Sequence, residues 1–116
     1  MRDGVYYELR TLVNAVRRQL EALPAGAPME LAEWVFWARG FCAGLYHRKT
    51  AQSAARAAWI DAVETAPDAV TRALAYAASD AAWAVVSAID GDEAEAEAVV
   101  RAVRARLASL DRGRDG

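Results

Sequence analysis

Apolar residues recur along this chain at the three- and four-residue spacing of helices. Val5, Leu9, Leu12, Val16, Leu20 and Leu23 fall on one face and predict a first helix from about Asp3 to Leu23. Asp3 is a candidate N-cap, because a carboxylate accepts bonds from the unpaired amides of a first turn. Pro24, Gly26 and Pro28 end that helix. A second helix is predicted from Pro28 or Met29 to Tyr46 or His47, with Glu30 and Glu33 at its favourable N-terminal end. From Trp34 to Tyr46 its only charged residue is Arg39. Trp34, Val35, Phe36 and Trp37 are consecutive, and successive helical residues point about 100° apart, so they cannot share a face. Such a helix is expected to lie centrally in the fold or to be covered in part by a partner.

A third helix is predicted from an N-cap at Thr50 to just before Pro67, with Ala51, Ala55, Ala58, Trp59, Ala62 and Val63 as its apolar stripe. A fourth runs from Pro67 or Asp68 to Ile89 on Val70, Leu74, Ala77, Ala81, Val85 and Ala88, broadened by Tyr76, Trp83 and Val86. Asp90-Gly91-Asp92 is a turn signal, and Asp92 with Glu95 has the spacing of a capping box opening a fifth helix. Val99, Val100, Val103, Leu107 and Leu110 form its stripe, and the polar tail 111–116 is expected to fray. No stretch alternates as a strand does. The expected fold is all-α, one domain spanning residues 1–116, an antiparallel bundle of four to five helices.

Composition agrees with this pattern. Of 116 residues 29 are alanine, whereas glycine and proline together number ten, which argues against disorder and against an all-β architecture. No apolar run approaches the roughly 18 residues that span a bilayer, and no signal-peptide pattern opens the chain, so no membrane association and a cytoplasmic location are expected. Thirteen arginines against the single Lys49, beside so much alanine, suggest a GC-rich coding bias and a bacterial or phage origin.

The net charge of −2 conceals segregation. Residues 34–60 hold four basic residues, Arg39, Arg48, Lys49 and Arg56, and no acidic one. Residues 61–97 carry nine acidic residues against Arg72 alone, and 98–116 carry five arginines against two aspartates. The cluster Tyr46-His47-Arg48-Lys49, with Arg56, could meet a phosphate or an acidic protein surface. Read structurally, the same charges complement the negative C-terminal end of helix two. The acidic residues of 90–97 could face a basic partner, or serve only as a capped first turn.

Residues with catalytic or metal-binding chemistry are few. Cys42 as the lone cysteine excludes an intramolecular disulfide and a cysteine zinc cluster, and His47 as the lone histidine excludes a histidine-rich metal site. On a continuous helix Cys42 and His47 would diverge by about 140°, too far for a nucleophile–base pair. In a calcium loop begun at Asp90 the fifth and sixth positions would be Ala94 and Glu95, where an oxygen ligand and a glycine are needed. Gly40 and Gly44 lie in an apolar stretch rather than a phosphate loop. They do have small-xxx-small spacing, which suits a close helix-packing contact or a dimer seam. No catalytic residue, metal or cofactor is expected.

The stretch ARGFCAGLYHRKTAQSAARAAWIDAVETAPDAVTRALAYAASDAAWAVV, residues 38–86, resembles bacterial immunity proteins in its alanine-rich helical rhythm. That rhythm transfers no residue roles. The sequence reading is thus a non-catalytic binder of another macromolecule, an inhibitor or immunity-type factor, with a protein as the expected partner and nucleic acid as a weaker alternative. The expected contact residues are Trp34, Trp37, Arg39, Tyr46, His47, Arg48, Lys49 and Arg56, with one or two of Trp34, Phe36, Trp37 and Tyr46 exposed. Two alternatives accompany it. One is a homodimer or larger oligomer through Gly40 and Gly44; the other is a ligand pocket drawing on His47, Asp61 or Asp80.

Overall fold

Proline and glycine breaks divide the chain into five α-helices: α1 (Asp3–Glu21), α2 (Met29–Cys42), α3 (Arg48–Ile60), α4 (Ala69–Ile89) and α5 (Glu93–Asp115). A computed structural model describes residues 1–115, with side chains described as far as Arg112. Among the described residues there is no strand, and the fold is an all-α bundle. Among the described residues no helix is long and apolar enough to cross a membrane. A single π-helical turn, Asp61–Thr65, continues α3, closed by the bond from the Ala66 N–H to the Asp61 carbonyl at 2.8 Å.

Alanine explains the packing order. On α4, Ala75, Ala77, Ala78, Ala81, Ala82, Ala84 and Ala88 are buried on several sides of the helix, and α4 packs against α1, α3 and α5. Small side chains let three neighbours approach one helix closely, and the bulk comes from outside: Leu9, Leu12, Val16 and Leu20 of α1, and Val100 and Val103 of α5. The central helix is therefore α4 and not α2, which packs chiefly on α1 and α3. The α2 phase is set by Leu31, Trp34, Trp37, Ala38 and Phe41, all buried, while Phe36 points outward. On α3 and the π-turn that continues it the alanine stripe is buried as expected, but Trp59 and Val63 are half exposed.

Helix ends account for the other departures from expectation. Arg2, whose side chain makes no capping bond, occupies the N-cap of α1, and Asp3 sits inside the first turn. His47 is the N-cap of α3, three residues before Thr50; the Thr50 hydroxyl accepts the His47 N–H at 3.3 Å and donates to the His47 carbonyl at 2.9 Å. Asp68 caps α4 by accepting the Thr71 N–H at 2.7 Å, which holds its carboxyl below the usual range. Asp92 accepts the Glu95 N–H at 3.3 Å, as its spacing predicts. The last helix continues through Asp115, where a frayed tail was expected from Asp111; Gln19 donates to Asp111 at 3.3 Å. Gly116 lies outside the described residues.

The C-terminus of α2 sets the path of the chain into α3. Gly44 has φ +87°, a left-handed conformation that glycine adopts without steric cost. The Gly44 N–H bonds the Phe41 carbonyl at 3.0 Å and the Leu45 N–H bonds the Gly40 carbonyl at 2.8 Å. These two bonds make a Schellman ending, so the helix stops at Cys42 rather than at Tyr46 or His47. Gly44 is therefore a helix terminator, and the two glycines do not share a face of one helix. A Cβ at Gly44 would meet nothing within 4 Å, and one at Gly40 would meet only the Leu45 carbonyl at 3.6 Å, so no other helix approaches closely at either position.

Candidate functional site

In a Schellman ending the residue after the left-handed glycine normally covers an apolar side chain one turn back. Here that residue is Leu45, and the position it would cover is Gly40, which has no side chain. Leu45 is left 74% exposed, beside a Phe36 that is 81% exposed. With Trp37, Gly40 and Ala54 they line a groove of about 750 Å³ between α2 and α3. Its rim carries Glu33, Arg39, His47 and Lys49. Trp37 is itself almost buried, and its indole N–H has no acceptor, an arrangement that costs a folded protein about 1–3 kcal/mol.

Four of the eight expected contact residues line this groove: Trp37, Arg39, His47 and Lys49. The others do not. Trp34 is fully buried and donates its indole N–H to the Ala78 carbonyl at 2.8 Å, pinning α2 to α4. Tyr46 turns back into the α1–α2 corner, stacking on Tyr6 with ring centroids 5.8 Å apart and meeting Phe41 edge-on. The Tyr6 hydroxyl closes that corner by donating to the Phe41 carbonyl at 2.7 Å. Arg48 is engaged by Asp90 through two bonds of 2.9 and 3.2 Å. Arg56 lines a smaller neighbouring hollow with Glu30, Glu33 and Lys49. Phe36 and Leu45 were missing from the expected set. Phe36 was legible as one of four consecutive large residues that cannot all face inward; Leu45 was legible as an apolar residue following a terminating glycine.

The basic cluster also lies at the opposite helix end from the one expected. Because α2 stops at Cys42, His47, Arg48 and Lys49 do not complement its negative end; they are the N-cap and first two residues of α3, at its positive end. No acidic residue sits in that first turn. Asp90 neutralises Arg48, and Glu21 pairs with Arg39 at 2.6 Å, which holds the Glu21 carboxyl below its ordinary range. Lys49 enters no ion pair among the described residues. The acidic run is largely consumed inside the fold, with Asp90 on Arg48, Asp92 as a cap and Glu93 on Arg2.

The remaining polar candidates do not converge. Asp61, fully buried on the π-turn, accepts the Leu31 N–H at 2.7 Å and the Thr65 hydroxyl. It thereby caps α2 from another element, a role that Pro28 at the N-cap cannot fill. Interaction with the neighbouring Asp61 carboxyl raises the Glu30 carboxyl above its ordinary value. Asp80 pairs with Arg106 at 2.9 Å, remote from both Asp61 and His47 in its contacts. The three therefore share no pocket, although His47 lines the groove between α2 and α3. Cys42 is half-buried with Sγ 3.9 Å from the Arg10 carbonyl, and burial pushes its thiol up, which disfavours the nucleophilic thiolate. Among the described residues no three metal-ligating side chains stand together. No protein-family model, no curated protein and no solved structure matches this chain.

Proposed function

We propose that this protein is a non-catalytic helical binder that engages a protein partner through the groove between α2 and α3. One observation carries the reading: Phe36 and Leu45, two of its three most exposed large apolar side chains, converge on one hollow. Singly scattered surface hydrophobics are normal, whereas a grouped set with a charged rim has the anatomy of an interface core. Inhibition of the partner, as an immunity-type factor inhibits its target, is the form of binding that fits a small chain with no assembled catalytic group.

Affinity capture from the source cell, comparing the native chain with Phe36→Asp and Leu45→Asp, tests the proposal. Both variants should keep the native circular dichroism spectrum, because both positions are exposed, and both should lose the partner that the native chain retains. Retention of the same proteins by all three chains would overturn it.

A further inference from the structure

We infer that the groove takes an amphipathic helical segment of the partner, with acidic residues flanking its apolar anchors; this rests on the binding reading above. The argument is charge complementarity at one end of an apolar groove. The first turns of α1, α2 and α5 carry acidic residues, and Asp68 caps α4. Of the five described helices only α3 has neither an acidic cap nor an acid in its first turn; it opens instead with Arg48 and Lys49, at the end where the helix dipole already places positive potential. That arrangement disfavours the free chain, and no internal anion offsets it at Lys49. A carboxylate docked at the α3 end of the groove would meet the Lys49 ammonium and the helix dipole; Arg39, across the groove, is already paired with Glu21.

The form of the occupant is set by its surroundings. Strand addition to a sheet edge is closed to a partner, because the described residues contain no strand to extend. A helix instead lays apolar side chains at three- and four-residue spacing into a groove between helices, which suits the Phe36–Trp37–Leu45 floor. Nucleic acid is the poorer fit. Glu30 and Glu33 interrupt the path from Lys49 to Arg56, whereas a phosphate backbone calls for a continuous basic stripe.

Two synthetic helical peptides sharing one leucine stripe, flanked in one by glutamate and in the other by lysine, test this by calorimetric titration of the full chain. The acidic peptide should bind about tenfold more tightly at low salt, with the advantage shrinking as salt rises. Lys49→Glu should reverse the preference. The same variant should unfold at a higher temperature than the native chain, because glutamate suits a helix N-terminus. Phe36→Asp should abolish binding of both peptides. Equal affinity for the two peptides, both lost in Phe36→Asp, would overturn the acidic occupant and leave the groove in place. Binding of neither peptide, or binding indifferent to Phe36→Asp, would overturn the groove itself. Tighter binding of an anionic vesicle or a single-stranded oligonucleotide, or self-association abolished by Phe36→Asp, would overturn a protein helix as the occupant.

Discussion

Trp34 and Phe36 lie two residues apart on α2, yet their truncation should have opposite consequences. Phe36 is 81% exposed, so roughly a fifth of a side chain of about 200 Å² is withdrawn from water, worth about 1 kcal/mol at ~25 cal/mol per Å². Alanine is the better helix former by about 0.5 kcal/mol, which leaves Phe36→Ala within about 0.5 kcal/mol of the native chain. Trp34 is fully buried, and alanine there loses the transfer energy, opens a cavity and strips the Ala78 carbonyl of its 2.8 Å donor. That loss is about 3–5 kcal/mol. Urea denaturation followed by circular dichroism measures both on one scale, since the linear dependence on denaturant gives each difference directly. A loss above about 2 kcal/mol for Phe36→Ala would show that Phe36 is covered in the folded protein, and the groove would have no free wall. Similar losses at both positions would mean that α2 is rotated from the phase set by Leu31, Trp34 and Phe41.

Substitutions at four further positions probe the elements that build the groove. Gly40→Ala should stabilise by up to about 1 kcal/mol, because its Cβ meets only the Leu45 carbonyl at 3.6 Å, whereas Gly44→Ala should destabilise by about 1–2 kcal/mol because of its positive φ; loss at both sites in chemical denaturation would revive a close helix contact. Asp61→Ala should cost about 1.5–3 kcal/mol by leaving the Leu31 N–H buried without an acceptor, and Asp61→Asn, which keeps an acceptor, should cost less; equal losses in thermal melts would contradict the capping role. Glu30 binds its proton more tightly folded than unfolded, so stability falls as pH rises from the ordinary value of 4.5 through the raised one. Glu30→Gln should therefore stabilise the chain at neutral pH, with the gain vanishing below about pH 4.5; no gain at neutral pH would show that the carboxyl pair carries no strain.

Where periodicity and local caps decide structure, they were readable in the sequence. The α1 stripe from Val5 to Leu20 is buried, the α5 stripe is buried at Val100, Val103 and Leu107, and Asp92 caps as its spacing implies. The end of α2 was misread because apolar residues continue past it through Leu45 and Tyr46, and periodicity carries no information about the sign of φ at Gly44. The π-turn was invisible for a different reason. Asp61 reads as one more polar residue on a helix, and its burial depends on the N-terminus of α2, thirty residues earlier. The pairing of Arg48 with Asp90 is likewise a long-range fact, and it joins two patches that looked like rival surfaces. Of the aromatic residues expected from the sequence, Trp37 lines the groove, whereas Trp34 and Tyr46 pack within the bundle and Phe36 and Leu45 stand at the groove instead. A run of four large residues shows that one must face out, and only the packing of Leu31 and Phe41 against α1 and α3 shows that it is Phe36.

The binding groove is tested most directly by amide and indole chemical shifts recorded as the acidic peptide is added to isotope-labelled protein. The predicted perturbations cluster at Phe36, Gly40, Leu45, Lys49 and Ser53, with the Trp37 indole moving among them. Shifts confined to α5, or spread evenly over the bundle, would contradict the account.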